Sequence, residues 1–271
     1  VSDEPGEALQ HPAYGQLRPV TGTASVLLCD NPGLLTLEGT NTWVLRGPGS
    51  DASVIVDPGP DDDAHIERLA ALGPIPLVLI SHKHDDHTGA IDKLVDRTGA
   101  VVRSVGSGFL RGLGGPLADG EVIEAAGLRI TVLATPGHTA DSVSFLVDDP
   151  RGEQSGAVLT ADTVLGRGTT VIDKEDGSLG AYLDSLQRLH GLPRRTVLPG
   201  HGPELADSRE VTAMYLAHRH ERLDQVRAAL RELGEDASAR QVVEHVYTDV
   251  DEKLWDAAEW SVQAQLDYLR T

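Results

Sequence analysis

Six consecutive residues, His82-Lys83-His84-Asp85-Asp86-His87, hold three imidazoles and two carboxylates directly after the apolar run 77–80 and Ser81. Packing at a strand end cannot satisfy so many polar groups, whereas a divalent cation takes them as ligands. Neutral imidazole and carboxylate suit zinc at ~2.0–2.2 Å. The two-residue step from His82 to His84 puts both rings on one side of an extended segment. Asp86 and His87, at the turn into a helix, then face a second position. More residues of the same type recur at the same kind of place. Asp57 ends Val54-Ile55-Val56, His138 follows Thr135-Pro136-Gly137, Asp162 follows the run 157–160, and His201 follows Pro199-Gly200. Any one of these reads as a turn residue; together, each just past an apolar run, they read as a ligand set at the ends of strands.

The elements that must position them are short. Runs at 25–29, 42–45, 54–56, 77–80, 122–123, 128–133, 143–147, 157–159 and 196–198 are broken by Gly, Pro and Asp and predict strands. Helical spacing appears at 63–72, 89–97 and 178–189, the last opening on Ser178 as its cap. Residues 1–20 read as a loose lead-in. After Asp207 the strands stop, and 208–233, 237–246 and 255–269 predict helices. The reading is an α/β catalytic domain over 1–206 and a small, mostly helical domain over 207–271. On the first of these C-terminal helices His218 and His220 point about 200° apart and cannot chelate one ion together. Arg209, Arg219, Arg222, Arg227 and Arg231 alternate there with Glu210, Glu221 and Asp224, which predicts charge pairing on a solvated face. Trp43, Trp255 and Trp260 are expected in the core.

The chain has 271 residues, with 23 Lys+Arg against 42 Asp+Glu and a net charge of −19. That balance repels nucleic acid and anionic membrane at long range. No run approaches the ~18 apolar residues of a membrane span. The acidic start Val1-Ser2-Asp3-Glu4-Pro5 predicts neither signal nor transit peptide. Cys29 is the one cysteine, so intrachain disulfides and thiolate-rich metal sites are excluded and a cytoplasmic location is expected.

The set Asp57, His82-Lys83-His84-Asp85-Asp86-His87, His138, Asp162 and His201 resembles the metallo-β-lactamase superfamily over about residues 20–206. The resemblance implies an αββα sandwich with two metals at one edge. His82, His84 and His138 would hold the first zinc, Asp86, His87 and His201 the second, with Asp162 bridging and Asp57 orienting a ligating histidine. Iron or manganese would accept the same ligands. Two such ions ~3.5–4 Å apart bring a bridging water to near-neutral pKa, and the hydroxide attacks a carbonyl or phosphoryl centre; Asp86 would also pass a proton to the leaving group. The segment from Asn31 to Thr42 and the segment Gly166-Arg167-Gly168-Thr169-Thr170 are similar to one subgroup, which includes the mitochondrial β-lactamase-like endoribonuclease and fungal polyketide thioesterases. The C-terminal unit is similar to that subgroup's winged helix. The expectation is hydrolysis of an ester, thioester or related acyl substrate. The alternative is cleavage of single-stranded RNA, with β-lactamase and glyoxalase II-type activity behind both. The oligomeric state is not legible in the sequence, although the C-terminal helices could supply the surface of a homodimer.

Overall fold

Val54 and Val56 pack into one apolar cluster while Ile55, between them, packs into another. This alternation on a strand buried on both faces sets the layering of the molecule. The computed structural model describes residues 10–150, 152, 156–248 and 251–270; the acidic start at 1–5 lies outside them. The first sheet runs in the order β1 (Arg18–Pro19), β2 (Ala24–Leu28), β3 (Asn41–Leu45), β4 (Val54–Val56), β5 (Leu77–Leu79), β6 (Val101–Arg103). Its first four strands pair antiparallel, and β4, β5 and β6 pair parallel. The parallel pairs need crossovers, which α1 (Asp63–Ala70) and the pair α2 (Asp85–Thr88) and α3 (Ile91–Thr98) supply.

The second sheet comprises β7 (Val122–Ala125), β8 (Leu128–Ala134), β9 (Val143–Val147), β10 (Ala157–Ala161) and β11 (Thr196–Pro199). Only β10 and β11 are parallel, joined through α4 (Leu179–His190). Trp43, Leu79, Ile130, Phe145 and Leu159 fill the space between the sheets. Ile66, Leu69 and Leu94 cover the outer face of the first sheet, and Leu183, Leu186 and Tyr215 that of the second. The result is the αββα sandwich, with both sheets ending at one edge.

The C-terminal helices are α5 (Ser208–Leu233), α6 (Ala239–Val246) and α7 (Trp255–Arg270). The bounds of α5 match the expected 208–233, because the Asp207 side chain caps the backbone N–H groups of Arg209 and Glu210. The same helix serves two cores. Val211, Tyr215 and Leu223 pack with α4, while Val226 and Leu230 pack with Val242, Val243 and Val262 of the C-terminal unit. Ser238 and Gln241 form a capping box at the start of α6. Among the described residues this unit is wholly helical, with no wing strand. No helix there is long and apolar enough to cross a membrane.

Three expectations are corrected. The lead-in contains an edge strand, β1, too short at two residues to show periodicity. The helix expected over 89–97 is two helices, since Asp85 already starts α2 and the chain re-aims at Gly89-Ala90. Trp43 is core at 2% exposure, but Trp255 and Trp260 are half-buried, and Trp260 lines a groove.

Candidate metal centre

The loop after β5 and the short helix α2 carry His82, His84, Asp86 and His87. His138, Asp162 and His201 follow β8, β10 and β11 of the other sheet, so the centre straddles both. These side chains form two adjacent clusters, His82–His84–His138–Asp162 and Asp86–His87–His201, with ligand atoms within 4.8 Å of one another in each. All seven candidate ligands are therefore brought together. Asp57 lies behind them, beside His82 and His87.

The outer nitrogens of four rings are each held by an acceptor. His87 Nδ1 donates to Asp57 Oδ2 at 2.9 Å, His138 Nδ1 to Val171 O at 2.6 Å, and His201 Nδ1 to Gly39 O at 3.0 Å. Ser81 Oγ donates to Asp57 Oδ2 at 2.6 Å and so accepts from His82 Nδ1 at 2.9 Å. These partners fix the tautomers and leave each Nε2 with a lone pair turned inward. The inward nitrogens then meet one another. His84 Nδ1 is 3.0 Å from His82 Nε2 and 3.1 Å from His138 Nε2, and His87 Nε2 is 3.3 Å from His201 Nε2. Asp162 Oδ1 is buried with no hydrogen-bond partner, 3.5 Å from His87 Nε2, while its Oδ2 is 3.4 Å from His201 Nε2 and 3.8 Å from His138 Nε2. Converging lone pairs around an orphaned carboxylate oxygen fit a pair of divalent cations, and Asp162 reaches both clusters.

The charges agree with that geometry. Burial, followed by the neighbouring His87, pushes His82 well below the ordinary imidazole value. Burial also lowers His138. For His87 burial pulls the same way, but the carboxylates of Asp86, Asp162 and Asp57 outweigh it and raise the ring to about 9. His201 is likewise carried well above the ordinary value, against burial, by Asp162 and Asp86. Burial resists ionisation of Asp162, yet His201 and His87 hold it well below the usual carboxylate range.

The backbone is strained where it presents these groups. Asp57 has φ +55° and Ala161, just before Asp162, φ +43°; both are costly for residues with a Cβ. At Gly200 a Cβ would stand 2.4 Å from Asp162 Oδ1, so glycine is what lets β11 run beside the carboxylate.

The segment from Asn31 to Thr42 is both turn chemistry and site support. The Asn31 side chain accepts from Thr40 N at 2.8 Å and donates to Thr40 Oγ1 at 3.0 Å. The turn it closes offers Gly39 O to His201 and leaves Leu34 and Leu35 exposed at the mouth of a groove of about 620 Å³. The loop from Gly166 to Val171 forms another side: Gly166 N donates to His201 O at 2.8 Å and Thr170 Oγ1 to Asp162 O at 2.5 Å.

The third side comes from α5 and α7, and here the sequence misled. Arg227 pairs with Asp224 at 2.8 Å as expected. Arg219, however, is only 4% exposed, donates to Thr170 O and lies 4.9 Å from the Tyr182 ring. Arg219, Arg222 and His218 all line the groove, together with His84, Asp86, His138, Asp162 and His201. His220 points away, bonded to Leu216 O. A signal existed: Arg219 occupies the fourth-residue step between the buried Tyr215 and Leu223, an arginine within an apolar stripe.

A family model described as the metallo-beta-lactamase superfamily matches residues 35–201, and one for the beta-lactamase associated winged helix domain matches 238–271. The "Beta-lactamase-like protein 2 homolog" of Caenorhabditis elegans is 32% identical over 237 residues, covering 82% of this chain and 76% of its own length. The "Atrochrysone carboxyl ACP thioesterase" of Aspergillus chevalieri is 31% identical over 254 residues, covering 90% and 79%. The crystal structure of a beta-lactamase domain protein from Burkholderia ambifaria superposes with a TM-score of 0.80 at 22% identity, over 96% of this chain and 89% of that one.

Proposed function

Because the chain belongs to the metallo-β-lactamase superfamily, we propose that it is a dinuclear zinc-dependent hydrolase of an ester, thioester or related acyl compound. The observation that carries this reading is the inward convergence of His82, His84 and His138 on one side and of Asp86, His87 and His201 on the other, with Asp162 between them. Each triad would hold one cation, and Asp162 would be shared. When bound, the cations supply Lewis acidity and a water that ionises near neutral pH.

The chain's own residues do the rest. Asp57 holds His87 in the tautomer that presents Nε2. Asp86 is half-buried on the groove side of the centre and stands where a proton can pass to a departing alcohol or thiol. Leu34, Leu35, Leu165, Leu254 and Trp260 give the groove an apolar lining suited to an acyl chain. In this reading residues 1–206 form the catalytic unit, and residues 207–271 form the unit that adds the far wall. A relative named as an acyl carrier thioesterase supports the acyl choice, and a net charge of −19 weighs against RNA.

The test is metal content per chain, followed by turnover of acyl thioesters and of labelled single-stranded RNA by the zinc-loaded protein and by Asp86→Ala. We expect two cations per chain, thioester turnover cut by roughly 100-fold in the variant, and intact RNA. RNA cleavage by wild type alone, with no thioester turned over, would overturn the acyl reading. Full activity of Asp86→Ala with its metal retained would remove the proton role.

A further inference from the structure

Arg219 is a buried cation with nothing of opposite charge beside it among the described residues. Among the described residues no carboxylate lies within 4.0 Å of its guanidinium; its Nη2 donates to a neutral carbonyl, its Nε is buried without a partner, and its face rests on Tyr182. A buried charge without a counter-charge is costly unless something from outside completes it. Of the carboxylates that share the groove, Asp85 is exposed at the start of α2, and the buried or half-buried ones are otherwise engaged. Asp86 and Asp162 belong to the metal clusters, and Asp173 pairs with Lys83 at 3.0 Å. One helical step further, Arg222 lines the same wall with its guanidinium 4.6 Å over the Tyr247 ring. His218, which lines the same groove, has its pKa lowered by burial and then by Arg219 and Arg222, which registers the positive field at that wall. Such a wall in a chain of net charge −19 is not a by-product of composition.

We propose that this wall is an anion subsite, in which Arg219 and Arg222 take a carboxylate or phosphate carried by the substrate while its scissile bond lies at the metal clusters. The substrate class is then an amphipathic acyl compound: an apolar stretch against Leu34, Leu254 and Trp260, and an anionic oxygen group against α5. Guanidinium suits that group because its planar N–H donors match paired oxygens. The proposal rests on the acyl-hydrolase reading for its choice of reaction, but the wall itself is tested without turnover.

The experiment uses the zinc-loaded full chain, wild type beside Arg219→Gln, Arg219→Lys and Arg222→Gln. The substrates are thioesters matched in length: one ending in a carboxylate, one ending in the neutral carboxamide, and one whose thiol carries a phosphate monoester. We expect wild type to favour an anionic substrate over the carboxamide. Each Gln variant should raise KM on the favoured anion by roughly 10- to 100-fold, well beyond any change on the carboxamide, so that the preference for the anion is lost. Arg219→Lys should recover part of the loss, and the anion that responds identifies the source. Equal losses on charged and neutral substrates would overturn the proposal and reduce Arg219 to a support of the Thr170 loop.

A titration of intrinsic tryptophan fluorescence, to which the groove residue Trp260 contributes, with glutarate and with inorganic phosphate reads binding alone. Saturable binding, weakened about tenfold or more in both Gln variants, supports the subsite; binding that ignores both arginines, or no binding, overturns it. If no thioester is hydrolysed, the acyl reading fails while this titration still decides the wall.

Discussion

His87 shows how much of the centre is written into single side chains. It is fully enclosed, with Asp57 on its outer nitrogen and Asp86 and Asp162 around its inner one. Without metal those carboxylates keep it protonated to about pH 9, and His201 is held in the same sense. A cation must displace these protons, so metal affinity should rise with pH by about tenfold per unit for each proton released, the His87 contribution levelling off above about pH 9. Chelator competition across that range measures it, and affinity independent of pH would show that His87 and His201 carry no displaceable proton before the cation binds. Asp57→Asn tests the outer partner. Asparagine accepts the left-handed backbone at φ +55°, but its amide meets His87 Nδ1 as a donor and drives the ring proton to the inner nitrogen. The second cation should bind about 10- to 100-fold more weakly with little change in melting temperature. Metal titration and thermal unfolding separate the two effects.

At the scale of elements, α4 is aimed by its first turn. Ser178 caps Ala181 N at 3.4 Å, and the backbone N–H of Ser178 donates to Gly137 O at 2.9 Å, fixing the helix against the loop that presents His138. Gly137 has φ +136°, and a Cβ there would sit 2.3 Å from Tyr182 Cα, a backbone atom that cannot step aside. Gly137→Ala should cost about 3 kcal/mol or more, against about 1 kcal/mol for Ser178→Ala; denaturant midpoints compare them, and equal costs would contradict the close approach. Ser178 was legible in advance because a cap is local chemistry. The cluster of candidate ligands was legible because His and Asp past apolar runs are rare enough to stand out together. The roles of Arg219 and Arg222 were not, because alternating charges on a helix say nothing of which face the tertiary packing turns inward. Nor did Trp260 declare itself: a tryptophan in an apolar pattern reads as core, and only the gap between α7 and the loop at 166–171 makes it a groove wall.

For the whole molecule, α5 supplies most of the core that the sandwich shares with the C-terminal helices, and Ala264 and Leu269 of α7 add to it. Ending the chain at residue 206 would bare Tyr182, Leu183 and Leu186 of α4, which now pack with Val211, Tyr215 and Leu223. Such a truncation should melt far below the full chain or fail to stay in solution. Cys29 offers the reporter: it is 1% exposed, and burial, with Asp62, pushes its thiol up to about 12. It should be silent towards a thiol reagent in the full chain and react promptly in the truncated one; equal silence in both would show that the sandwich stands without α5. The groove carries a different consequence. Its reactive floor comes from strand ends of the two sheets, and its opposite wall from helices beyond residue 207. The candidate metal ligands all lie before residue 207, while a whole wall of the groove lies after it, so substitutions along α5 and α7 can alter what the groove admits and leave every candidate ligand untouched, a division of labour that would let one inherited reaction pass to new compounds.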